Sequence, residues 1–363
     1  RGGRIEKDSN GQPTGVVRDA GGVAFVAAKI PLPDKGHWLA NVRKLVAELN
    51  AMGITAWLDA GGRGMGDRHY EPYRELAGRG ELNARVFYTT IRQPATPQQV
   101  DKVLAEIPQQ KPYGGNDSFG NVGWGESVYA PATSRLLAAD YQVKPEDMQQ
   151  VRRIVSALAQ QGLFLDAHAE LTNAINAYLD EYEAVNRVTP IKGLRWMLSH
   201  LDQVDDAQIA RMKRLGIYAG LHSRPLIQGA LMHEVHGERA WDMPPFRRVQ
   251  ESGLRWGLGS DATAVTPSNP FYTLAFAVTG RMIGGRQVNR QTITREEALI
   301  AHTRSNAWFL FQESNIGSLQ PGKYADLLVL DRDYLAVPAD EIKDIRPVMT
   351  MVGGKIVYPE EGL

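Results

Sequence analysis

Five residues able to ligate a metal or move a proton fall at matching points along the chain: Glu126, His168, His200, His222 and Asp261. Each closes an apolar run with strand character: "VGWGESVY", "LFLDAHAE", "RWMLSHLDQV", "IYAGLHSRP" and "RWGLGSDATAV". "LFLDAHAE" poses the question most plainly, because it stops at two acids flanking one of only eight histidines. Neutral imidazoles beside carboxylates suit Zn²⁺ and related divalent ions. Such an ion brings the pKa of a bound water down to about 7 and polarises a carbonyl, while a nearby carboxylate moves protons. Singly, each residue has a plainer use. A strand-end histidine can be a hydrogen-bonded core residue, Asp261 can cap the turn or helix after it, and Glu126 can belong to an ion pair. One pocket explains all five more economically than five coincidences. The chain has no cysteine, which excludes thiolate nucleophiles, disulfides and cysteine-based zinc or iron–sulfur sites. Any metal must rest on His, Asp, Glu or a modified Lys.

Elements that could bring these residues together are visible in the rhythm of the chain. Apolar strands near residues 54, 84, 122, 163, 195, 217 and 255 alternate with amphipathic helices such as "TPQQVDKVLAEI" and "KPEDMQQVRRIVSALAQQG". That alternation predicts parallel strands with crossover helices, and a (β/α) barrel collects its chemistry at the C-terminal ends of its strands. A doubly wound dinucleotide-binding sheet is disfavoured, because "GGRGMG" after the first of these strands lacks the spacing and the downstream acid of that fingerprint. Before the barrel, "GRIEKD", "SNGQP" and "TGVVRDAG" read as a hairpin. After it, "IGSLQPGKYADLLVLD" and "VMTMVGGKIVY" have turn residues and no crossover helix. The expected division is a barrel over residues 1–312 and part of a β-sandwich over 313–363. His37 and His69 read as surface residues, His302 as packed in a helix, and His233 and His236 as loop residues. The stretch from His233 to Arg248 reads as the longest irregular connection, a candidate lid.

Charge narrows the partners. Lys+Arg and Asp+Glu both number 41, so the chain lacks the clustered basic excess of a nucleic-acid binder. It has no like-charge arm suited to a membrane surface and no stretch of the ~20 apolar residues that span a bilayer. A small-molecule substrate is the expectation, and a homo-oligomer stays open. The polar start carries no signal-peptide core, and the compartment stays open between cytoplasm and periplasm.

A family resemblance runs over essentially the whole chain. "SNIGSLQPGKYADLLVLD" with "VMTMVGGKIVY" resembles the C-terminal signature of the amidohydrolase superfamily. "TREEALIAHTRSNAWFLF" is similar to the segment before that signature, and "GLGSDATAV" to its eighth-strand segment. "GRIEKDSNGQPTGVVRDAG" and "GITAWLDAG" resemble the branch that includes N-substituted formamide deformylases.

The resemblance implies an α/β fold, a TIM-like (β/α) barrel joined to a small β-sandwich, that hydrolyses with one or two divalent ions, foremost zinc. His168 matches the fifth-strand ligand and His200 the sixth. Asp261 matches the eighth-strand aspartate, which takes a proton from the metal-bound water and passes it to the leaving group. Glu126 falls at the fourth-strand end, where many members carry a carboxylated lysine bridging two metals. A glutamate there resembles N-acetylglucosamine-6-phosphate deacetylases, in which Glu and two His hold one metal. His222, Arg224 and Trp124 are candidates for touching substrate. One departure stands out: the His-x-His of the family's first strand occurs nowhere in these 363 residues. The chain reads as beginning after that strand, so an incomplete barrel is expected. The reaction implied is hydrolysis of an amide or formamide C–N bond. The alternative is a non-catalytic barrel serving as a binding or structural subunit. A Schiff-base aldolase is disfavoured because no strand ends in lysine.

Overall fold

The computed structural model describes residues 3–18, 25–26, 29–31, 33–61, 66–263 and 265–359. Strands β1 (Arg4–Lys7) and β2 (Pro13–Arg18) form the expected antiparallel hairpin, Ile5 opposite Val17. Residues 19–21 of its second arm and 62–65 of "GGRGMG" lie outside the described residues.

The rest of the chain alternates as expected. Helix α1 (Lys35–Ala51) leads to β3 (Ala56–Asp59), α2 (Glu71–Gly78), β4 (Arg85–Thr90) and α3 (Pro97–Glu106). A short β5 (Gly114–Gly115) turns antiparallel onto β6 (Phe119–Trp124). Then come α4 (Pro145–Gln160), β7 (Phe164–Ala169), α5 (Thr172–Asn186), β8 (Met197–His200), α6 (Asp206–Leu215) and β9 (Tyr218–His222). Helices α7 (Pro225–His236) and α8 (Phe246–Glu251) precede β10 (Trp256–Gly259), and α9 (Pro270–Thr279), α10 (Arg295–His302) and α11 (Arg304–Phe309) follow it. Local chemistry sets these bounds. Thr96 caps α3 ahead of Pro97. Asp205 and Gln208 form a capping box on α6, which Gly216 ends in the left-handed region at φ 71°.

Seven parallel strands form a curled sheet in the order β3-β4-β6-β7-β8-β9-β10, half of a TIM-like barrel. Its outer strands, β3 and β10, do not pair with each other among the described residues. β7 shows how the sheet is packed. All six of its residues are buried, as a parallel sheet covered on both faces requires. Leu165, Ala167 and Ala169 join the main core with Val151, Ile154 and Leu158 of α4 and Ile175 and Leu179 of α5. The opposite face of β7 carries Phe164, Asp166 and His168, two residues apart. Phe164 packs with Phe87, Val122 and Met197 of the neighbouring strands and with Phe309, Leu310 and Ile316. The concave side therefore has an apolar floor at Phe164, then Asp166, then His168 towards the strand ends.

At the C-terminal end β11 (Leu327–Leu330), β12 (Pro347–Val352) and β13 (Lys355–Tyr358) form an antiparallel sheet. Thr350 Oγ1 fixes it to α1 by donating to Asn50 O at 2.7 Å. Gly53 must be glycine at this seam. Its φ is +85°, and a Cβ there would lie 2.8 Å from Leu328 Cδ1.

Two expectations are corrected. β6 stops at Trp124, so Glu126 sits two residues past the strand rather than on it. The stretch after His233 is largely helical: α7 runs to His236, a 3-10 turn covers Gly237–Asp242 and α8 begins at Phe246. His233 and His236 lie on α7 and pair with the carbonyls of Val288 (3.0 Å) and Leu136 (2.6 Å), which are structural contacts. Among the described residues no helix is long and apolar enough to cross a membrane.

Candidate metal centre

The ends of β7 and β8 and the turn after β6 meet at one point. His168 N donates to Glu126 O at 3.1 Å, which holds the turn against β7. His168 Nδ1 lies 2.7 Å from Glu126 Oε1, and His200 Nε2 lies 3.6 Å from the same oxygen. The two imidazole centroids are 4.2 Å apart. Donor atoms of Glu126, His168 and His200 all fall within 4.8 Å of one another. The structure thus brings together three residues singled out in the sequence.

Their protonation is mutual. Burial pushes the Glu126 carboxyl up, but the His168 and His200 donors outweigh it and hold the group well below the usual carboxylate range. Burial works against a charge on His168, yet Glu126 and Glu170 push its pKa up to about 10. Burial and the charge on His168 press His200 down. A proton shared between Glu126 and His168 balances the carboxylate.

A second ring of charge surrounds this point. Glu170, one residue past β7, places Oε2 3.3 Å from His168 Nε2 and Oε1 2.8 Å from Arg224 Nη1. Arg224 precedes α7, and its Nη2 lies 3.3 Å from His200 Nδ1 and 3.5 Å from Asp261 Oδ2. Asp261 Oδ2 is 4.0 Å from His200 Nδ1, and burial raises its carboxyl above the ordinary value. Asp202, two residues beyond His200, is buried and pushed up to about 7, Arg224 opposing the shift. One layer below, Asp166 accepts from Ser199 Oγ at 2.5 Å and is also raised to about 7 by burial. His222 lies beside His200, the rings tilted by 43° with centroids 4.5 Å apart. Gly259 leaves room for it, since a Cβ there would sit 3.0 Å from His222 Cδ2.

Strain and unmet hydrogen bonds mark the same place. His200, Leu201 and Asp261 adopt positive φ of 76°, 50° and 56°, a costly backbone for non-glycine residues that clusters at functional sites. His168 Nε2, Glu170 Oε2, His200 Nε2, Asp202 Oδ2, His222 Nδ1 and Arg224 Nε are buried without a hydrogen-bond partner among the described residues. Buried polar groups are nearly always paired, so six at one site call for something that pairs them. The charge count agrees. Glu126, Glu170, Asp202 and Asp261 gather around the Arg224 guanidinium, and a divalent cation would suit so many carboxylates at one site.

Trp124 does not join the site. It is 1% exposed and sits opposite Leu165 in register, in the core shared with the helices. Glu170, Asp202 and Asp166 do join it, though sequence reasoning gave none of them a role. A signal was available for Asp166, which shares a strand face with His168 at i, i+2. For Glu170 and Asp202 the signal was weaker, an acid two residues beyond each strand-end histidine.

Known proteins give this arrangement a context. The amidohydrolase family profile matches residues 1–358. The chain is 25% identical over 389 aligned residues to the N-substituted formamide deformylase of Arthrobacter pascens, spanning 99% of this chain and 68% of that protein. It is 21% identical to the putative amidohydrolase YtcJ of Bacillus subtilis, over 98% of this chain and 68% of that one. A metal-dependent hydrolase from Pyrococcus horikoshii shares the fold, with a TM-score of 0.68 at 20% identity, covering 92% of this chain and 67% of that structure. The chain spans about two thirds of the length of each of these relatives. The strand-end histidines and carboxylates thus sit in a fold shared with metal-dependent hydrolases, and the chain belongs to the amidohydrolase family of hydrolases.

Proposed function

We propose that this chain hydrolyses the C–N bond of a small amide or formamide, using a divalent ion, zinc, held by Glu126, His168 and His200. The observation that carries the reading is the trio of donor atoms within 4.8 Å at the strand ends. The residues fit such an ion. Their donor set is two imidazoles and a carboxylate, which zinc accepts, and His200 Nε2 is buried without a partner. An ion bound there would supply Lewis acidity to a water and to the scissile carbonyl.

The protein's own groups do the rest. Glu170 Oε2 faces His168 Nε2 at 3.3 Å, placed to take a proton from that nitrogen into a hydrogen bond when Nδ1 ligates. His200 Nδ1 lies 3.3 Å from Arg224 Nη2 and 4.0 Å from Asp261 Oδ2, so ligation by Nε2, which puts the proton on Nδ1, would turn that nitrogen from Arg224 towards Asp261. Asp261 takes a proton from the attacking water and returns it to the leaving nitrogen. His222 and Arg224 stand at the same strand ends to meet substrate. The formamide choice leans on the Arthrobacter relative.

Metal content by elemental analysis, together with hydrolysis of N-substituted formamides and N-acyl amines before and after chelation, tests the reading. Zinc bound in stoichiometric amount and activity lost on chelation are expected. A protein with no bound divalent metal, whose His168→Ala variant hydrolyses as well as the parent, overturns it and favours the non-catalytic alternative.

A further inference from the structure

Beside the trio lies a second set of donors. Glu170, His200 and Asp202 each offer an atom within 4.8 Å of the others, and all three residues are buried. Glu170 Oε2, His200 Nε2 and Asp202 Oδ2 have no hydrogen-bond partner. His200 is shared with the trio, so Glu170 and Asp202 are the carboxylates left to attract a second cation, and a cation is already there. Arg224 Nη1 lies 2.8 Å from Glu170 Oε1, and its Nη2 lies 3.3 Å from His200 Nδ1 and 3.5 Å from Asp261 Oδ2. Guanidinium does not deprotonate in proteins, so this positive charge is permanent.

We propose that Arg224 is a built-in second cation: it occupies the Glu170–His200–Asp202 group and thereby limits the centre to one metal ion per chain. This deepens the metal-centre reading and rests on it. The pocket is arranged for two positive centres, one exchangeable and one fixed to α7. A guanidinium cannot act as a Lewis acid or hold a water as a ligand, so its presence assigns all such chemistry to the Glu126 side. Its planar donors instead hold Glu170 through Nη1 and Asp261 through Nη2.

The test counts metal. The parent protein, Arg224→Met, Arg224→Lys and Arg224→Met/Glu170→Gln are saturated with Zn²⁺, freed of excess, and analysed for zinc per chain. Thermal unfolding is followed with and without added Zn²⁺. One ion is expected in the parent, one in Arg224→Lys, two in Arg224→Met and one in the double variant. Arg224→Met leaves two buried carboxylates unpaired, so it should be unstable without metal and gain roughly 5 °C in Tm at a hundredfold excess of Zn²⁺ over the second Kd. Two ions in the parent, or still one in folded Arg224→Met, overturns the inference while the metal reading stands. So does an Arg224→Met chain that stays unfolded in saturating Zn²⁺, since the second ion should replace the lost charge. A parent that binds none overturns the metal reading and this inference together.

Discussion

Arg85 and Arg224 are both buried arginines facing carboxylates, and their surroundings differ. Arg85 on β4 grips Asp326 with two bonds, Nε to Oδ2 at 2.7 Å and Nη2 to Oδ1 at 3.0 Å, and donates from Nη1 to Asp117 O at 2.9 Å. Asp326 Oδ1 also accepts from Gly353 N at 2.7 Å, and the Tyr324 ring covers the guanidinium at 4.2 Å. One charge meets one charge, and the pair ties the barrel to the C-terminal sheet. Arg224 faces Glu170, Asp202 and Asp261 together, its own Nε is unpaired, and two of those carboxylates keep an unpartnered oxygen. A buried ion pair that only joins elements needs its hydrogen bonds complete, because every unmet one costs free energy. A site that must accept something else keeps lone pairs in reserve.

Breaking each side should give opposite signatures. Asp261→Asn should lower kcat by about 10²–10⁴-fold, the usual worth of a positioned acid–base group, with zinc content unchanged. Loss of zinc along with activity would move Asp261 from proton carrier to ligand. Arg85→Met should destabilise the fold by about 3–5 kcal/mol, the cost of leaving a buried charge alone, seen as a lower urea midpoint. Zinc per folded chain and kcat should hold in that variant. A fall in kcat matching that of Asp261→Asn would erase the distinction between the two regions. Glu170→Gln should weaken zinc binding by about 10–100-fold, as loss of a carboxylate behind a ligating histidine does. Titration against a competing chelator reads it, and an unchanged affinity would mean that Glu170 serves Arg224 alone.

How far the sequence foretold this follows the same division. His168, His200, His222 and Asp261 were legible because each ends an apolar run, and parallel strands bring such ends together. Glu126 was legible only approximately, since it reaches the site from a turn pinned by the His168 N–H. Trp124 misled because nearness in sequence to Glu126 stood in for direction. Its register partner Leu165 faces the helices, and so does Trp124. The helical run from His233 was hidden by mixed composition, and tertiary packing against Leu136 and Val288 decides it. Glu170 and Asp202 became meaningful only with Arg224, which arrives from another strand. Arg85 and Asp326 are separated by 241 positions, and nothing local to either announces the pair.

His302 offers the smallest and most local check of the comparison. It is a buried histidine outside the site, at the end of α10, with Nε2 unpaired and Nδ1 3.5 Å from Asn306 Nδ2. Among the described residues no carboxylate shares its surroundings the way Glu126 and Glu170 share those of His168, and burial presses its pKa below the ordinary 6.5. Above that value His302 is neutral in both folded and unfolded chains and contributes no pH dependence. As pH falls below about 6.5, the unfolded chain takes up a proton that the folded one refuses, so stability declines. His302→Gln removes this component. Its urea midpoint should fall less steeply than the parent's between pH 7 and pH 5, with no change in zinc content. Equal slopes would show that the cavity around His302 admits the charge, and that the charged form needs no carboxylate there to be tolerated.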